Sequence, residues 1–132
     1  MIVRRIFLLF SMVTIITSSM ECTFNVDPEP PAIPSNFEGI STESKIELSW
    51  SFNREPDFDG YNLYKSNESI DDIQQVNPVH ESLYTDSLFI DEQVSNGTTY
   101  YYRITSVDLN GNESDLSREI KITPFTPPPT RP

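Results

Sequence analysis

Histidine and paired acidic residues are the side chains of this sequence that could carry out catalysis. His80 is the only histidine, and it follows Pro78 in a segment without regular hydrophobic periodicity. A hydrolytic triad needs a base beside a nucleophile, and no sequence signal places a serine or a carboxylate beside this imidazole. We therefore predict that His80 is a surface histidine.

Neighbouring carboxylates could act as the acid and the base of glycoside cleavage. Three pairs are close in sequence: Asp57 with Asp59, Asp71 with Asp72, and Asp91 with Glu92. Such chemistry also needs a cleft and a strongly shifted pKa, whereas a single small domain offers convex loops. We predict that these acids are solvated surface charges and that the chain is not an enzyme.

Calcium binding is the third chemistry that residue spacing suggests. The first, third, fifth and twelfth positions of an EF-hand-like loop are occupied by Asp108, Asn110, Asn112 and Glu119. The sixth position of such a loop must be glycine for its sharp turn, and here it is Glu113. The flanking residues also have strand character, so we predict that this segment is not an EF-hand.

Composition excludes several other classes of function. The chain has 132 residues, enough for one domain, and its 20 acids and 9 bases give a net charge of −11. Nucleic-acid binding is excluded, because it needs basic residues that displace counterions from phosphate. The single cysteine rules out an intrachain disulfide and a cysteine-rich zinc site. We expect no cofactor.

The N-terminus has the three-part layout of a secretory signal peptide. Arg4 and Arg5 form a positive start, residues 6–16 are uncharged and mostly apolar, and residues 17–19 are small or polar. Residues 6–20 are too few to span about 30 Å of hydrocarbon at 1.5 Å per residue, which argues against a membrane anchor. We predict that residues 1–21 are a signal peptide and that the mature protein is extracytoplasmic.

Cys22 stands where a bacterial lipoprotein carries its lipid-modified cysteine. The lipoprotein pattern has a leucine three positions earlier and a small residue just before the cysteine, whereas this chain has Ser19 and Glu21 there. Two alternatives remain open. Either Cys22 is lipidated and anchors the protein, or cleavage after Ser19 leaves a free thiol in a secreted or periplasmic protein.

Proline marks the boundaries of the folded part. Nine of the 11 prolines lie in two flanks: Pro28, Pro30, Pro31, Pro34, Pro124, Pro127, Pro128, Pro129 and Pro132. Proline cannot donate to a sheet ladder and favours extended backbone, so the flanks are typical of stiff spacers. We predict a Pro-rich tether over 22–33, a folded domain over 34–124, and a Pro-rich tail over 125–132.

Between these flanks the hydrophobic period is two. Residues 45–52 alternate polar and apolar over their whole length, and residues 98–107 are rich in aromatic and β-branched side chains. Both patterns predict strands, and Asn-Gly turns at residues 96–97 and 110–111 flank the second of them. Further strands are predicted over 60–65 and 119–123. The pattern favours an all-β fold, a seven-stranded antiparallel immunoglobulin-like β-sandwich.

Residues 34–124 resemble a fibronectin type III domain of the kind found in exported bacterial proteins. The matching segments follow the order of that family: 33–37 (start of strand A), 46–50 (strand B), 57–64 (B–C turn and strand C), 94–104 (E–F corner and strand F), 107–114 (F–G loop) and 117–124 (strand G). The expected structural core includes Trp50, Tyr61, Leu63, Tyr100 and Tyr102. Tyr100 would form a tyrosine corner, with its hydroxyl bonded to the chain near residue 94 or 96.

The resemblance also implies that the B–C and F–G loops lie at the same end of the domain. Five acids would then be neighbours: Asp57, Asp59, Asp108, Glu113 and Asp115. They could hold Ca²⁺ or act simply as solvated turn formers. Phe58 and Tyr101 are the aromatic residues that could contact a ligand, unless Phe58 packs beneath the B–C turn and Tyr101 packs against the next strand.

The function that these observations favour is non-enzymatic. We expect an exported interaction and spacer module at the cell envelope that binds an envelope or extracellular protein. The alternative is a carbohydrate-binding accessory module. Contact with a membrane is expected only through a lipid on Cys22.

Overall fold

Six β-strands form two three-stranded antiparallel sheets in the computed structural model, which describes residues 27–42 and 44–125. The first sheet has the order β1-β2-β4 and the second the order β3-β5-β6. The elements are β1 (Glu38–Thr42), β2 (Lys45–Ser49), β3 (Phe58–Ser66), β4 (Leu88–Asp91), β5 (Tyr100–Asp108), β6 (Ile120–Ile122) and a 3-10 turn at Ile73–Gln75. The predicted all-β, antiparallel architecture is confirmed.

The strand count is six rather than the expected seven. Between β3 and β4 the chain meets the edge of β3 only at two isolated bridges, Tyr61 with Tyr84 and Tyr64 with Pro78. Proline has no N–H to donate, so a ladder cannot continue through Pro78. The segment therefore covers the edge of β3 without becoming a strand.

The alternation predicted over 45–52 holds only as far as Trp50. Ile46, Leu48 and Trp50 point into the core, but β2 ends at Ser49. Beyond it, the Ser51 N–H donates to the carbonyl of Ser35 at 2.8 Å, outside the ladder of β1 and β2. Phe52, which the alternation would place inside, is 51% exposed.

The core between the sheets is built around aromatic rings. The Trp50 ring lies 5.3 Å from Tyr61 and 6.1 Å from Phe37, both in edge-to-face geometry. Such contacts combine large buried area with favourable quadrupole alignment. The buried cluster contains Phe37, Ile46, Leu48, Trp50, Tyr61, Leu63, Tyr100, Tyr102, Ile104 and Ile120, and so includes all five residues expected in the core.

A tyrosine corner lies just before β5. The Ser95 N–H donates to the Tyr100 hydroxyl at 3.0 Å, between the two positions expected from the sequence. Gly97 has a φ of 81°, which glycine adopts without strain, and its N–H donates to the carbonyl of Pro124 at 2.9 Å. The corner thus ties the start of β5 to the end of the domain.

We expect Tyr100→Phe to lower the free energy of unfolding by about 1 kcal/mol, because the Ser95 N–H loses its hydrogen-bond acceptor. Urea denaturation followed by circular dichroism measures the change. Tyr101→Phe is the matched control, since within the described residues the Tyr101 hydroxyl makes no hydrogen bond. Equal stability of the two variants would contradict a stabilising corner.

One buried carboxylate joins the two sheets. Asp91 of β4, only 4% exposed, accepts a hydrogen bond from the Tyr102 hydroxyl at 2.7 Å. The ammonium of Lys65 lies 2.6 Å from the same oxygen, and the Gln93 N–H donates to the other oxygen at 2.9 Å. The prediction that Asp91 is a solvated surface acid is therefore wrong, whereas Glu92 is exposed and pairs with Lys45.

The segment before β1 lies against the domain from Asp27 onward. The Asn112 side chain donates to the carbonyl of Asp27 at 2.8 Å, and the Ala32 N–H donates to Glu55 Oε1 at 2.8 Å. Over its described residues, the predicted tether 22–33 is therefore in contact with the domain. The predicted signal peptide, Cys22 and residues 126–132 lie outside the described residues.

Helical structure in the described ranges is limited to the short 3-10 turn. No helix there is long and apolar enough to cross a membrane.

Candidate functional site

The F–G loop is closed by the side chain of Asp108. Its carboxylate accepts the N–H of Asn110 at 2.9 Å, the N–H of Asn112 at 2.8 Å and the Asn112 side-chain amide at 2.8 Å. Burial opposes ionisation, but these hydrogen bonds hold the pKa of Asp108 below its usual value. The carboxylate thus serves an Asx-type turn.

Glu113 turns away from the loop and lies over the outer side of β3 and β5. Its Oε1 accepts hydrogen bonds from Asn62 Nδ2 at 3.0 Å, the Tyr64 hydroxyl at 2.7 Å and the Thr105 hydroxyl at 2.5 Å. Burial alone would raise the pKa of Glu113, but the three donors together lower it. Burial and the adjacent carboxylate raise the pKa of Tyr64, so its phenol stays protonated and donates.

We expect Glu113→Gln to lower the free energy of unfolding by about 1 kcal/mol at pH 7, because a partly exposed charged acceptor is lost. The folded-state pKa is depressed, so this contribution is present above the ordinary value of 4.5. It is lost as pH falls through the folded-state pKa, and the difference from wild type should shrink there. Urea denaturation across pH 3–7 measures this difference. Exposed Glu68→Gln is the control, and a pH-independent difference would contradict the assignment.

The predicted calcium cluster is not assembled. The two loops do meet, since the Leu109 N–H donates to the carbonyl of Asp57 at 2.9 Å. Within residues 27–42 and 44–125, however, no three His, Cys, Asp or Glu side chains converge in a way that could hold a metal ion. Asp108 and Glu113 are bound to separate sets of donors, and Asp59 and Asp115 are exposed.

The two aromatic residues proposed as ligand contacts are both partly covered. Phe58 packs against Tyr61 at 4.8 Å and beneath Phe52 at 5.2 Å between ring centroids. Tyr101 faces outward, as expected between buried neighbours, but Lys121 of β6 places its ammonium 5.6 Å from the ring centroid. Tyr101 thus packs against the neighbouring strand, and Phe58 packs against two other aromatic rings.

An open groove lies beside these rings, between the segment 32–35 and the segment 51–55. It has a volume of about 480 Å³, in the size range of small-molecule sites. The exposed ring of Phe52 forms one wall. The groove is lined by Ala32, Ile33, Ser35, Ser51, Phe52, Asn53, Arg54 and Glu55, and we call it the Phe52 groove.

Charge in the Phe52 groove is carried by Glu55 and Arg54. Burial opposes ionisation of Glu55, but hydrogen bonds from Ala32, Asn53 and Arg54 hold its pKa below the usual value. The carboxylate is therefore ionised and fixed in place. Among the described residues, the Arg54 guanidinium has no hydrogen bond or ion pair.

Phe52 and Arg54 were missed by the sequence analysis. The period-two pattern of 45–52 assigns Phe52 to the interior, and the pattern alone does not show where the ladder ends. The available signal was the run Asn53-Arg54-Glu55-Pro56, which is poor in strand formers and ends in a residue that cannot join a central ladder.

His80 is half-buried rather than a surface residue. Its ring stacks on Tyr84 at 5.2 Å and meets Phe89 edge-on at 5.3 Å. Its Nε2 atom is buried and has no hydrogen-bond partner among the described residues. The imidazole is thus a packing group without the base-to-nucleophile hydrogen bond that a triad needs.

A second exposed surface lies on the outer side of the first sheet. Ile40 of β1, Glu47 of β2 and Ile90 of β4 stand side by side in the register of the strands. Ile40 is 56% and Ile90 is 47% exposed, and exposed Leu88 follows on the same side of β4. These four residues, called the outer face below, place three aliphatic side chains around one carboxylate.

Comparison with known sequences relates this chain to one segment of much larger enzymes. It is 35% identical over 101 residues to an amylopullulanase of Thermoanaerobacterium saccharolyticum, a match that covers 76% of this chain and 7% of that protein. The chain thus spans only a small part of the relative's length. No family model matches the sequence.

Comparison with solved structures identifies the fold. An Fn3-like protein from Clostridium thermocellum has a TM-score of 0.57 and 26% identity, covering 70% of this chain and 92% of that one. A human sixth fibronectin type III domain has a TM-score of 0.58 and 15% identity, covering 79% and 95%. Together with the two antiparallel sheets and the tyrosine corner, these similarities show that the chain has the fibronectin type III fold.

Proposed function

We propose that the chain is a non-enzymatic interaction and spacer module that acts outside the cytoplasm and binds a protein. The observation that carries this proposal is the outer face. Contiguous exposed aliphatic side chains are typical of protein-binding surfaces. Here they lie on three paired strands, so their arrangement is fixed by the ladder rather than by a loop.

The partner that suits the outer face is a protein with an apolar centre and basic residues around it. Glu47 lies within the face and Glu38 at its margin, and the chain as a whole has a net charge of −11. Charge of this size disfavours a second copy of the chain and attracts a basic surface. We therefore expect association that weakens as salt is added.

Photo-crosslinking in the native host tests this proposal. A crosslinking residue at position 90 should capture one protein that the same residue at position 109, in the exposed F–G loop, does not capture. Binding of that purified protein should fall at least about tenfold in the Ile40→Ser, Ile90→Ser double variant and remain unchanged in Leu109→Ser. Equal capture from both positions, or no capture, would exclude the outer face as the binding surface.

Export is supported by the predicted signal peptide and by the similarity to part of an amylopullulanase. The intact mass of the protein from membrane and soluble fractions distinguishes the two forms. A membrane species that starts at Cys22 with added diacylglycerol mass indicates a lipoprotein. An unmodified soluble species indicates a secreted or periplasmic protein.

Carbohydrate binding as an accessory module is the second candidate function. The Phe52 groove favours it, because exposed aromatic rings beside polar groups can bind sugar rings. The similarity to a segment of an amylopullulanase supports the same class of ligand. The two candidate functions use different surfaces, so each can be tested without disturbing the other.

A further inference from the structure

We propose that the Phe52 groove binds one pyranose ring of a neutral polysaccharide, with the exposed ring of Phe52 as its stacking platform. This inference rests on the second candidate function and assigns it a site. One face of a pyranose ring presents C–H groups, and its rim presents hydroxyls. The site must therefore supply an apolar plane and polar groups beside it, and the groove supplies both.

The platform is exposed, but it packs against two other rings. Phe52 is held edge-to-face by Phe58 at 5.2 Å and by Tyr61 at 6.2 Å between ring centroids. Phe58 in turn packs on Tyr61, which belongs to the buried core. A ring that is already positioned loses little conformational entropy when a ligand stacks on it.

The polar groups beside the platform are available to sugar hydroxyls. The Arg54 guanidinium provides donors that no described residue uses, and the Glu55 carboxylate is an ionised acceptor fixed by three hydrogen bonds. The Ser51 hydroxyl accepts from Asn36 at 2.9 Å, which leaves its own proton to donate. Donors and an acceptor on one rim match the hydroxyl groups of a sugar.

The segment 32–35, which lines the other side of the groove, is held in place by hydrogen bonds without a ligand. The carbonyl of Ala32 accepts from Asn53 Nδ2 at 2.8 Å and from the Ser106 hydroxyl at 2.7 Å. The Ser35 carbonyl accepts from the Ser51 N–H at 2.8 Å. Binding therefore requires no ordering of the segment 32–35.

Charge selects a neutral polymer over an acidic one. The chain has a net charge of −11, and Glu55 adds a fixed negative charge inside the groove. A polyuronate would be repelled by this field even though Arg54 is present. A neutral glucan gains the stacking and hydrogen bonds without that repulsion.

Affinity electrophoresis of the folded chain in gels that contain pullulan tests the assignment, with polygalacturonate gels of equal ionic strength for comparison. We expect wild type to be retarded by pullulan and not by polygalacturonate. Phe52→Ala should raise the dissociation constant at least about tenfold, because the apolar area of the ring no longer stacks on the sugar. Phe52→Tyr keeps the platform and should bind as wild type does.

Phe125→Ala is the matched control, because Phe125 is also an exposed phenylalanine, at 60%, but lies outside the groove. It should bind as wild type does, and circular dichroism should show that each variant is folded. Wild type that is retarded by neither polysaccharide would overturn both the site and the carbohydrate function. Retarded wild type with equally retarded Phe52→Ala would overturn the site alone, and preferential retardation by polygalacturonate would overturn the choice of a neutral ligand.

Discussion

Trp50→Ala is expected to lower the free energy of unfolding by about 3–5 kcal/mol. The indole is buried and contacts rings from three other parts of the chain, namely Phe37, Tyr61 and Tyr84. Phe37 lies just before β1, Tyr61 lies in β3 and Tyr84 lies between β3 and β4. Because these three parts of the chain are separately anchored, the space that the indole leaves should be filled only in part. A domain of about 90 residues has a total stability of roughly 5–13 kcal/mol, and the variant should be close to unfolded.

Chemical denaturation followed by far-ultraviolet circular dichroism measures this loss without relying on tryptophan fluorescence. Phe125→Ala serves again as the control for removal of an aromatic ring, and its exposed position predicts a change below about 0.5 kcal/mol. A loss of less than about 1 kcal/mol in Trp50→Ala would show that the indole is not central to the core.

Asp91→Ala is expected to be destabilising by a similar amount, about 3–5 kcal/mol, for an electrostatic reason. The substitution leaves the ammonium of Lys65 without its carboxylate and the Tyr102 hydroxyl without its acceptor. Burial and this carboxylate raise the pKa of Tyr102, so the phenol remains a neutral donor at all ordinary pH values. Removing one partner of a buried pair costs more than the pair contributes, because the remaining charge is uncompensated.

A double-mutant cycle measures the interaction energy between Asp91 and Lys65. Lys65→Met removes the ammonium but keeps a side chain of similar length, and the double variant Asp91→Ala, Lys65→Met should be more stable than Asp91→Ala alone. Lys65 also donates to the carbonyl of Gln93 and lies over the Tyr100 ring. Lys65→Met alone should therefore also lower the free energy of unfolding. Strictly additive losses would show that the two side chains do not interact.

Local patterns in the sequence were sufficient to predict four of the six strands, namely β2, β3, β5 and β6. Alternation in β2, the aromatic run in β5 and the Asn-Gly turn at residues 96–97 each depend on neighbouring residues. The tyrosine corner is also local, since its two partners are only five residues apart. Such features can be predicted because strand periodicity and turn chemistry act over a few positions.

Whether an individual acidic side chain is solvated or paired could not be predicted in the same way. Glu113 bonds to Asn62 and Tyr64, which are 51 and 49 residues away in the chain. Asp91 is buried because Lys65 of another sheet reaches it. An acidic side chain looks the same in sequence whether it is solvated or paired, so long-range packing decides between the two.

In a lipidated protein, the contacts of the segment before β1 would limit how far the domain can extend from the membrane. Ala32 is held by hydrogen bonds to Asn53, Glu55 and Ser106, and it lies ten positions after Cys22 in the chain. Ten extended residues span at most about 35 Å. Where the contact of Asp27 with Asn112 also holds, the limit is set by five residues, which span at most about 18 Å when fully extended. A lipid on Cys22 would therefore keep Ala32, and with it the Phe52 groove, within about 35 Å of the bilayer surface.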